Sequence, residues 1–219
     1  MASETLLLLI RHGETSANTA GVWHGSTDTP LSERGLAQAR RVGEHLAREL
    51  AGAPPAALYT SPLQRAAHTA REIGAALGLE PVVEPDLAEY ALGSWEGRPY
   101  RELLEVEDFW RRIRDDPDFA PVGGESVRQV AERFGQALRR IAAAHPGGRA
   151  VAVSHGGAIS LGLGWLLEQR HSSWERLLGN CALAELALGA TPRLVRFGEA
   201  THLADLVPLD PRPLRGGPE

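Results

Sequence analysis

The chain has 219 residues and a formal net charge of −5, with 23 basic and 28 acidic side chains. That length fits one domain with a real core, and the negative balance argues against nucleic acid as the main partner. All 23 basic residues are arginine, so a phosphate loop of the usual lysine-bearing kind and Schiff-base chemistry are both excluded.

The lone cysteine, Cys181, cannot close an internal disulfide and reads as a space-filling residue of a reducing compartment. No segment is long and apolar enough to span a bilayer. The N-terminal apolar run is too short for a signal peptide, has no basic residue before it and ends in arginine. A cytoplasmic location without a membrane partner is the expectation.

Leu6 to Ile10 are five consecutive apolar residues, the pattern of a strand buried on both faces. The run stops at Arg11-His12, and Gly13-Glu14 suggest a sharp turn into a helix. Ser32 reads as an N-cap, followed by Leu36, Ala39, Val42, Leu46 and Leu50 at helical spacing; Gly52-Ala-Pro-Pro ends that helix. Ala56–Tyr59 is a short strand, and Pro62 suits the start of a helix running to about Leu77. Val82-Val83 suggest a third strand. Tyr100–Ile113 reads as a helix, with a polar loop after it.

A longer helix after Gly124 carries Val127, Val130, Phe134, Ala137, Leu138 and Ile141 inward, and His145-Pro-Gly-Gly stops it. Ala150–Val153 is a second fully apolar strand ending in polar residues, Ser154-His155, with two glycines and an apolar helix behind it. Ala182–Phe197 reads as an antiparallel hairpin turning at Gly189–Pro192. The Pro- and Gly-rich stretch 208–219 is expected to be a disordered tail. Alternating strands and helices predict an α/β fold: a three-layer sandwich with a mostly parallel central sheet flanked by helices, in one domain over 1–207.

Three predicted strands end in polar tips: Arg11-His12, Thr60-Ser61 and Ser154-His155. If they are parallel neighbours, the tips share the rim where ligands bind in open α/β sheets. Arg65 follows one turn after the second tip. Helices starting near Gly13 and Gly156 would aim free N–H groups at the same point. Two arginines, two histidines and two helix N-termini suit a phosphate dianion. A single strand-end histidine is ordinarily structural, so the case rests on the coincidence of all three tips.

These residues also resemble a family. Arg11-His12-Gly13-Glu14-Thr15 with Asn18 is similar to the signature of the histidine phosphatase superfamily, the phosphoglycerate mutase-like proteins. The likeness continues in order through Gly25, Asp28, Pro30-Leu31-Ser32, Gly35, Ser61-Pro62-Leu63-Gln64-Arg65-Ala66, Leu87-Ala88-Glu89, Gly93, Trp95-Glu96-Gly97, Gly123-Gly124-Glu125-Ser126 and Ser154-His155-Gly156-Gly157. It implies a phosphomonoesterase acting on small phosphorylated metabolites, without metal or other cofactor.

The resemblance implies that His12 takes the phosphoryl group, that Arg11, Arg65 and His155 hold its oxygens, and that Glu89 is the proton donor. Glu89 has apolar or aromatic sequence neighbours, Leu87, Tyr90, Leu92 and Trp95, which would favour its protonated form. Asn18, His24, Gly25 and Gly156 are the expected substrate-binding positions; His24 stands where phosphatase-like members often have Gln. Glu14, Glu96 and Glu125 are assigned to capping and loop structure. His45, His68, His145, His171 and His202 are assigned to surface or packing, as are Trp95, Trp110, Trp165 and Trp174 to the core; Trp23 is left open between core and ligand platform.

Mutases of the family resemble one another in a long insertion after the acid glutamate. Here Glu89 and Glu125 are 36 positions apart, which looks like the phosphatase branch. The helical lid is expected around 98–122. Its arginines 101, 111, 112 and 114 are read either as contacts to a second acidic group on the substrate or as a solvated face balanced by Glu105, Glu107, Asp115 and Asp116. A cofactor-dependent phosphoglycerate mutase and a non-catalytic phosphate-ligand binder remain as alternatives, and a homodimer is left open.

Overall fold

A computed structural model describes residues 3–171 and 176–206. Trp174 and the tail 208–219 lie outside the described residues. A six-stranded sheet has the order β3-β2-β4-β1-β5-β6, with β1 (Thr5–Arg11), β2 (Ala57–Thr60), β3 (Pro81–Val83), β4 (Arg149–Ser154), β5 (Leu183–Leu188) and β6 (Arg193–Glu199). The pairs β1–β4, β4–β2 and β2–β3 are parallel; β5 and β6 form the antiparallel hairpin. The mostly parallel sheet, flanked by helices, is the architecture expected from the alternating pattern.

β1 shows why its apolar run is continuous. Leu8 and Ile10 face the layer made by α2 (Glu33–Glu49) and α3 (Gln64–Leu77). Leu7 and Leu9 face the layer of α6 (Val127–Ala144) and α7 (Gly156–Glu168). Both faces are dry, so alternation with polar residues is impossible. α2 begins where Ser32 Oγ accepts the Gly35 N–H, and α6 begins with a capping box between Ser126 and Gln129.

Local expectations needed correction in three places. No helix starts at Gly13: the chain enters α1 (Ser16–Ala20) only after Thr15, which forms a capping box with Asn18. Gly13 is required by crowding, because a Cβ there would lie 2.4 Å from the Gly35 carbonyl oxygen. Pro62 precedes α3 instead of opening it, and Asp28 Oδ1 accepts the Gln64 N–H at 2.8 Å. The helix expected over Tyr100–Ile113 is two helices, α4 (Tyr100–Glu105) and α5 (Phe109–Asp115), broken at Asp108 with φ 50°. A left-handed residue cannot continue a helix.

α6 and α7 pack through a reciprocal pair of glycines. A Cβ on Gly135 would sit 2.1 Å from the Trp165 ring, and one on Gly162 would sit 2.2 Å from the Phe134 ring. Each aromatic ring thus occupies the space that the facing glycine leaves open. Gly162→Ala should lower unfolding stability by about 1–3 kcal/mol through overpacking, outweighing the gain in helix propensity. Gly52→Ala, where nothing lies within 4 Å, should change stability by less than about 0.5 kcal/mol. Urea melts of both variants check this; equal effects would refute the packing account.

Candidate active site

The backbone ladder runs past the strand ends and aligns the polar tips. Arg11 pairs with Ser154 in register, the His12 N–H donates to Ser154 O at 2.9 Å, and the Ser61 N–H donates to Val153 O at 3.0 Å. The rings of His12 and His155 are 5.1 Å apart. At this rim lies a small cavity of about 60 Å³. Its wall carries Arg11, His12, Asn18, His24, Arg65 and Glu89, with Thr15, Ala17, Val22, Trp23 and Thr29 completing it.

His12 is buried and its tautomer is fixed. Nδ1 lies 2.7 Å from the Gly13 carbonyl oxygen, which can only accept, so Nδ1 carries the proton. The remaining ring nitrogen, Nε2, therefore keeps its lone pair. Burial, then the charges of Arg11 and Arg65, push the imidazole well below its ordinary pKa, so it is neutral near pH 7.

Arg65 is anchored by carbonyl oxygens: Thr27 O at 2.8 Å and Gly25 O at 2.7 Å. Its Nε–H donates to Nδ1 of His155 at 3.2 Å, and His155 Nε2 meets Ser61 Oγ at 2.7 Å. Both nitrogens of His155 are thus engaged, and the fully buried ring stands behind the cavity wall, not in it. Burial, with Arg65, His12 and Arg11, holds His155 well below the ordinary imidazole pKa. Arg11 donates from a terminal nitrogen to Leu178 O at 2.7 Å, while its buried Nε has no hydrogen-bond partner among the described residues.

Glu89 reaches the cavity from the loop after β3, and its surroundings differ from the apolar ones expected. Oε1 accepts N–H groups of Ala158 at 2.8 Å and Tyr90 at 2.9 Å, and Oε2 accepts that of Gly157 at 3.0 Å. The carboxylate caps α7. The first-turn N–H groups expected to point at a phosphate are committed to Glu89 instead, while Leu87, Tyr90, Leu92 and Trp95 turn into the core. Gly25 and Gly156 also stand behind the wall: Gly25 O holds Arg65, and Gly156 packs on the Arg11 side chain.

Asn18 and His24 do line the cavity. Asn18 Oδ1 and His12 O both accept from Asn180 Nδ2, at 3.2 and 3.0 Å. His24 Nδ1 is joined to Thr29 Oγ1 at 2.5 Å. The sequence reading missed Asn180 and Thr29, which sit in stretches without a chemical pattern. Trp23 bridges its two readings: it lines the cavity and packs on Tyr100 and Phe109 of the 98–122 segment.

The arginines of that segment pair locally: Arg101 with Glu105, Arg111 with Asp108, Arg112 with Glu107 and Arg114 with Asp115. None lines the cavity, so the solvated-face reading fits. Glu14, Glu96 and Glu125 also serve structure. Glu14 bonds Ser32 and Arg34; Glu96 accepts backbone N–H groups of Gly25, Ser26 and Thr27. Burial pushes the Glu96 pKa up, but hydrogen bonds from the Ser26 and Leu92 N–H groups and the Thr27 and Ser26 hydroxyls outweigh it and lower it from its ordinary value. Among the described residues, His45, Glu49 and Glu199 bring donor atoms within 4.8 Å of one another, away from the cavity wall. Arg196 pairs with both carboxylates there, so the cluster reads as an ion-pair network.

The family model of the histidine phosphatase superfamily (branch 1) matches residues 7–199. The chain is 39% identical over 160 residues to a metal-independent phosphoserine phosphatase of Arabidopsis thaliana, covering 71% of this chain and 66% of that protein, just under two thirds. It is 33% identical over 204 residues to a probable phosphoglycerate mutase of Cronobacter sakazakii, covering 89% of this chain and 93% of the relative. The solved structure of a phosphoserine phosphatase variant from Entamoeba histolytica, in complex with phosphoserine, superposes with a TM-score of 0.81 at 28% identity, covering 91% of this chain and 99% of that one. Among the described residues no helix is long and apolar enough to cross a membrane. With the match running from the first core strand to the last strand of the sheet, the chain belongs to the histidine phosphatase superfamily.

Proposed function

We propose that the protein is a metal-independent phosphomonoesterase of small phosphorylated metabolites that works through a phosphohistidine at His12. The observation that carries this is the fixed tautomer, which leaves a neutral nitrogen lone pair on a ring that lines the cavity together with Arg11 and Arg65. Nε2 of His12 attacks phosphorus and the ester P–O bond breaks. Glu89, which takes up a proton when the ester dianion binds beside it, gives that proton to the departing alkoxide. Glu89 then takes a proton from water, the resulting hydroxide attacks phosphorus, and the P–N bond breaks to release inorganic phosphate. Arg11 and Arg65 hold the oxygens on which charge is spread, with Asn18 and His24 as further donors. His155 acts by holding Arg65; direct contact with the phosphoryl group requires its Nδ1 to leave that partner and carry a proton.

The cavity is small and polar, which suits a compact ester. Two relatives are named for phosphoserine and phosphoglycerate chemistry, so small phosphorylated acids are the first esters to assay. The relative named as a probable mutase keeps one second reading in view. Interconversion of 3- and 2-phosphoglycerate with little phosphate release identifies a mutase, and net phosphate release identifies the phosphatase.

His12→Ala should fold normally and lose turnover by roughly 10⁴-fold or more. Substantial residual hydrolysis removes His12 from its role. Glu89→Gln should slow alkyl phosphates by about 10²–10⁴-fold but p-nitrophenyl phosphate by less than about 10-fold, because a good leaving group needs little protonation. Equal losses on both esters contradict the acid role.

His12 and His155 both have folded-state pKa values below the ordinary 6.5. The unfolded chain therefore binds protons first as the pH falls. Their contribution is intact above pH 6.5 and is lost below it, by about 1.4 kcal/mol per pH unit for each histidine until its folded value is reached. Urea melts between pH 7 and 5 should show this decline, and His155→Gln should make it shallower. An unchanged slope in the variant would contradict neutral burial.

A further inference from the structure

Arg133, on the second turn of α6, lies outside the cavity wall, yet its guanidinium divides its donors between Glu125 and the loop that carries Glu89. Its Nε and one terminal nitrogen grip both oxygens of Glu125, at 2.7 and 2.9 Å. The same guanidinium donates to three backbone carbonyls: Asp86 O at 2.9 Å, Ala88 O at 2.8 Å and Glu89 O at 2.9 Å. That satisfies every N–H an arginine has.

Glu125 completes the clamp from its own side. Its Oε2 accepts the Ala91 N–H at 3.0 Å, and its backbone N–H donates to Ala91 O at 2.9 Å. The segment 86–91 is therefore held on both sides of Glu89. The pair is mostly buried, with side-chain exposures of 18% and 25%. Removing one partner leaves the other's charge and several carbonyls without a mate, so this is a costly arrangement to hold a loop that packing alone could cover.

We propose that Arg133, locked to Glu125, is a positioning residue for the proton-donating Glu89. This inference rests on the reading of Glu89 as the acid. The clamp sets where the Glu89 main chain enters the cavity, while the α7 N-terminus sets where the carboxylate ends. Lysine cannot replace it, since a single ammonium cannot grip a carboxylate bidentately and bond three carbonyls at once.

The test is a leaving-group comparison on Arg133→Met and Arg133→Lys, alone and combined with Glu89→Gln. Both single variants should lose about 10- to 100-fold in kcat on an alkyl phosphate and less than about 3-fold on p-nitrophenyl phosphate, with KM little changed. In the Glu89→Gln background, Arg133→Met should add no further loss on the alkyl ester. Equal losses on both esters, a full multiplicative loss in that background, or no loss at all would overturn the proposal. If Arg133→Met fails to fold, Glu125→Gln serves, with a smaller loss expected in the same selective direction. Glu89→Gln alone separates the two readings: if it is itself unselective, Glu89 is not the acid and this inference falls with it. If it is selective and Arg133→Met is not, only the positioning role fails.

Discussion

The hydrogen bond from His12 Nδ1 to the carbonyl of Gly13 is the contact on which the proposed chemistry depends. It is local, spanning one residue, yet the whole centre of the molecule is arranged to keep it. The His12 backbone is tied to β4 through Ser154, and its carbonyl to Asn180. The Gly13 N–H donates to Thr69 of α3 at 3.0 Å, and the Gly13 backbone presses against Gly35 of α2. A strand, a loop and two helices thus fix one peptide, and that peptide decides which imidazole nitrogen is free.

Around that nitrogen, charge is supplied by side chains whose own positions are set by backbone atoms. Arg65 hangs from the 25–27 loop, and Glu96 holds that loop by its N–H groups. Glu89 is held from the front by the opening of α7 and from behind by the Arg133–Glu125 pair. Such anchoring would fix the geometry before substrate arrives, which is what electrostatic stabilisation in the proposed phosphoryl transfer requires. Burial supplies the second ingredient by keeping both histidines neutral.

Much of this was legible in the chain. Strands buried on two faces show as unbroken apolar runs, so Leu6–Ile10 and Ala150–Val153 announced the sheet centre, and the polar residues ending them announced the rim. The helix cap at Ser32 was equally plain, because capping is a local event; the one at Ser126 emerged only in the structure. Tertiary choices were not legible. Nothing near Glu89 in sequence says that its carboxylate would cap a helix starting at Gly156. Asn180 reaches His12 across 168 positions. The break at Asp108 turns on one left-handed residue inside a helical pattern, and the arginines of the 98–122 segment stayed open between substrate contact and solvated face until their local pairing was seen. Gly13 was read correctly as necessary but for the wrong cause: the need is for space against Gly35, not for a turn.

The most direct measurement is to quench the enzyme with acid-free denaturant during turnover of a labelled phosphate ester and map the adduct by mass spectrometry and phosphorus NMR. The label should sit on His12, bonded through Nε2, and vanish on mild acid treatment. A label on Nδ1, on His155 or on an oxygen nucleophile, or no trapped phosphoryl group under single-turnover conditions, would contradict the assignment of His12 as the group that takes up phosphorus.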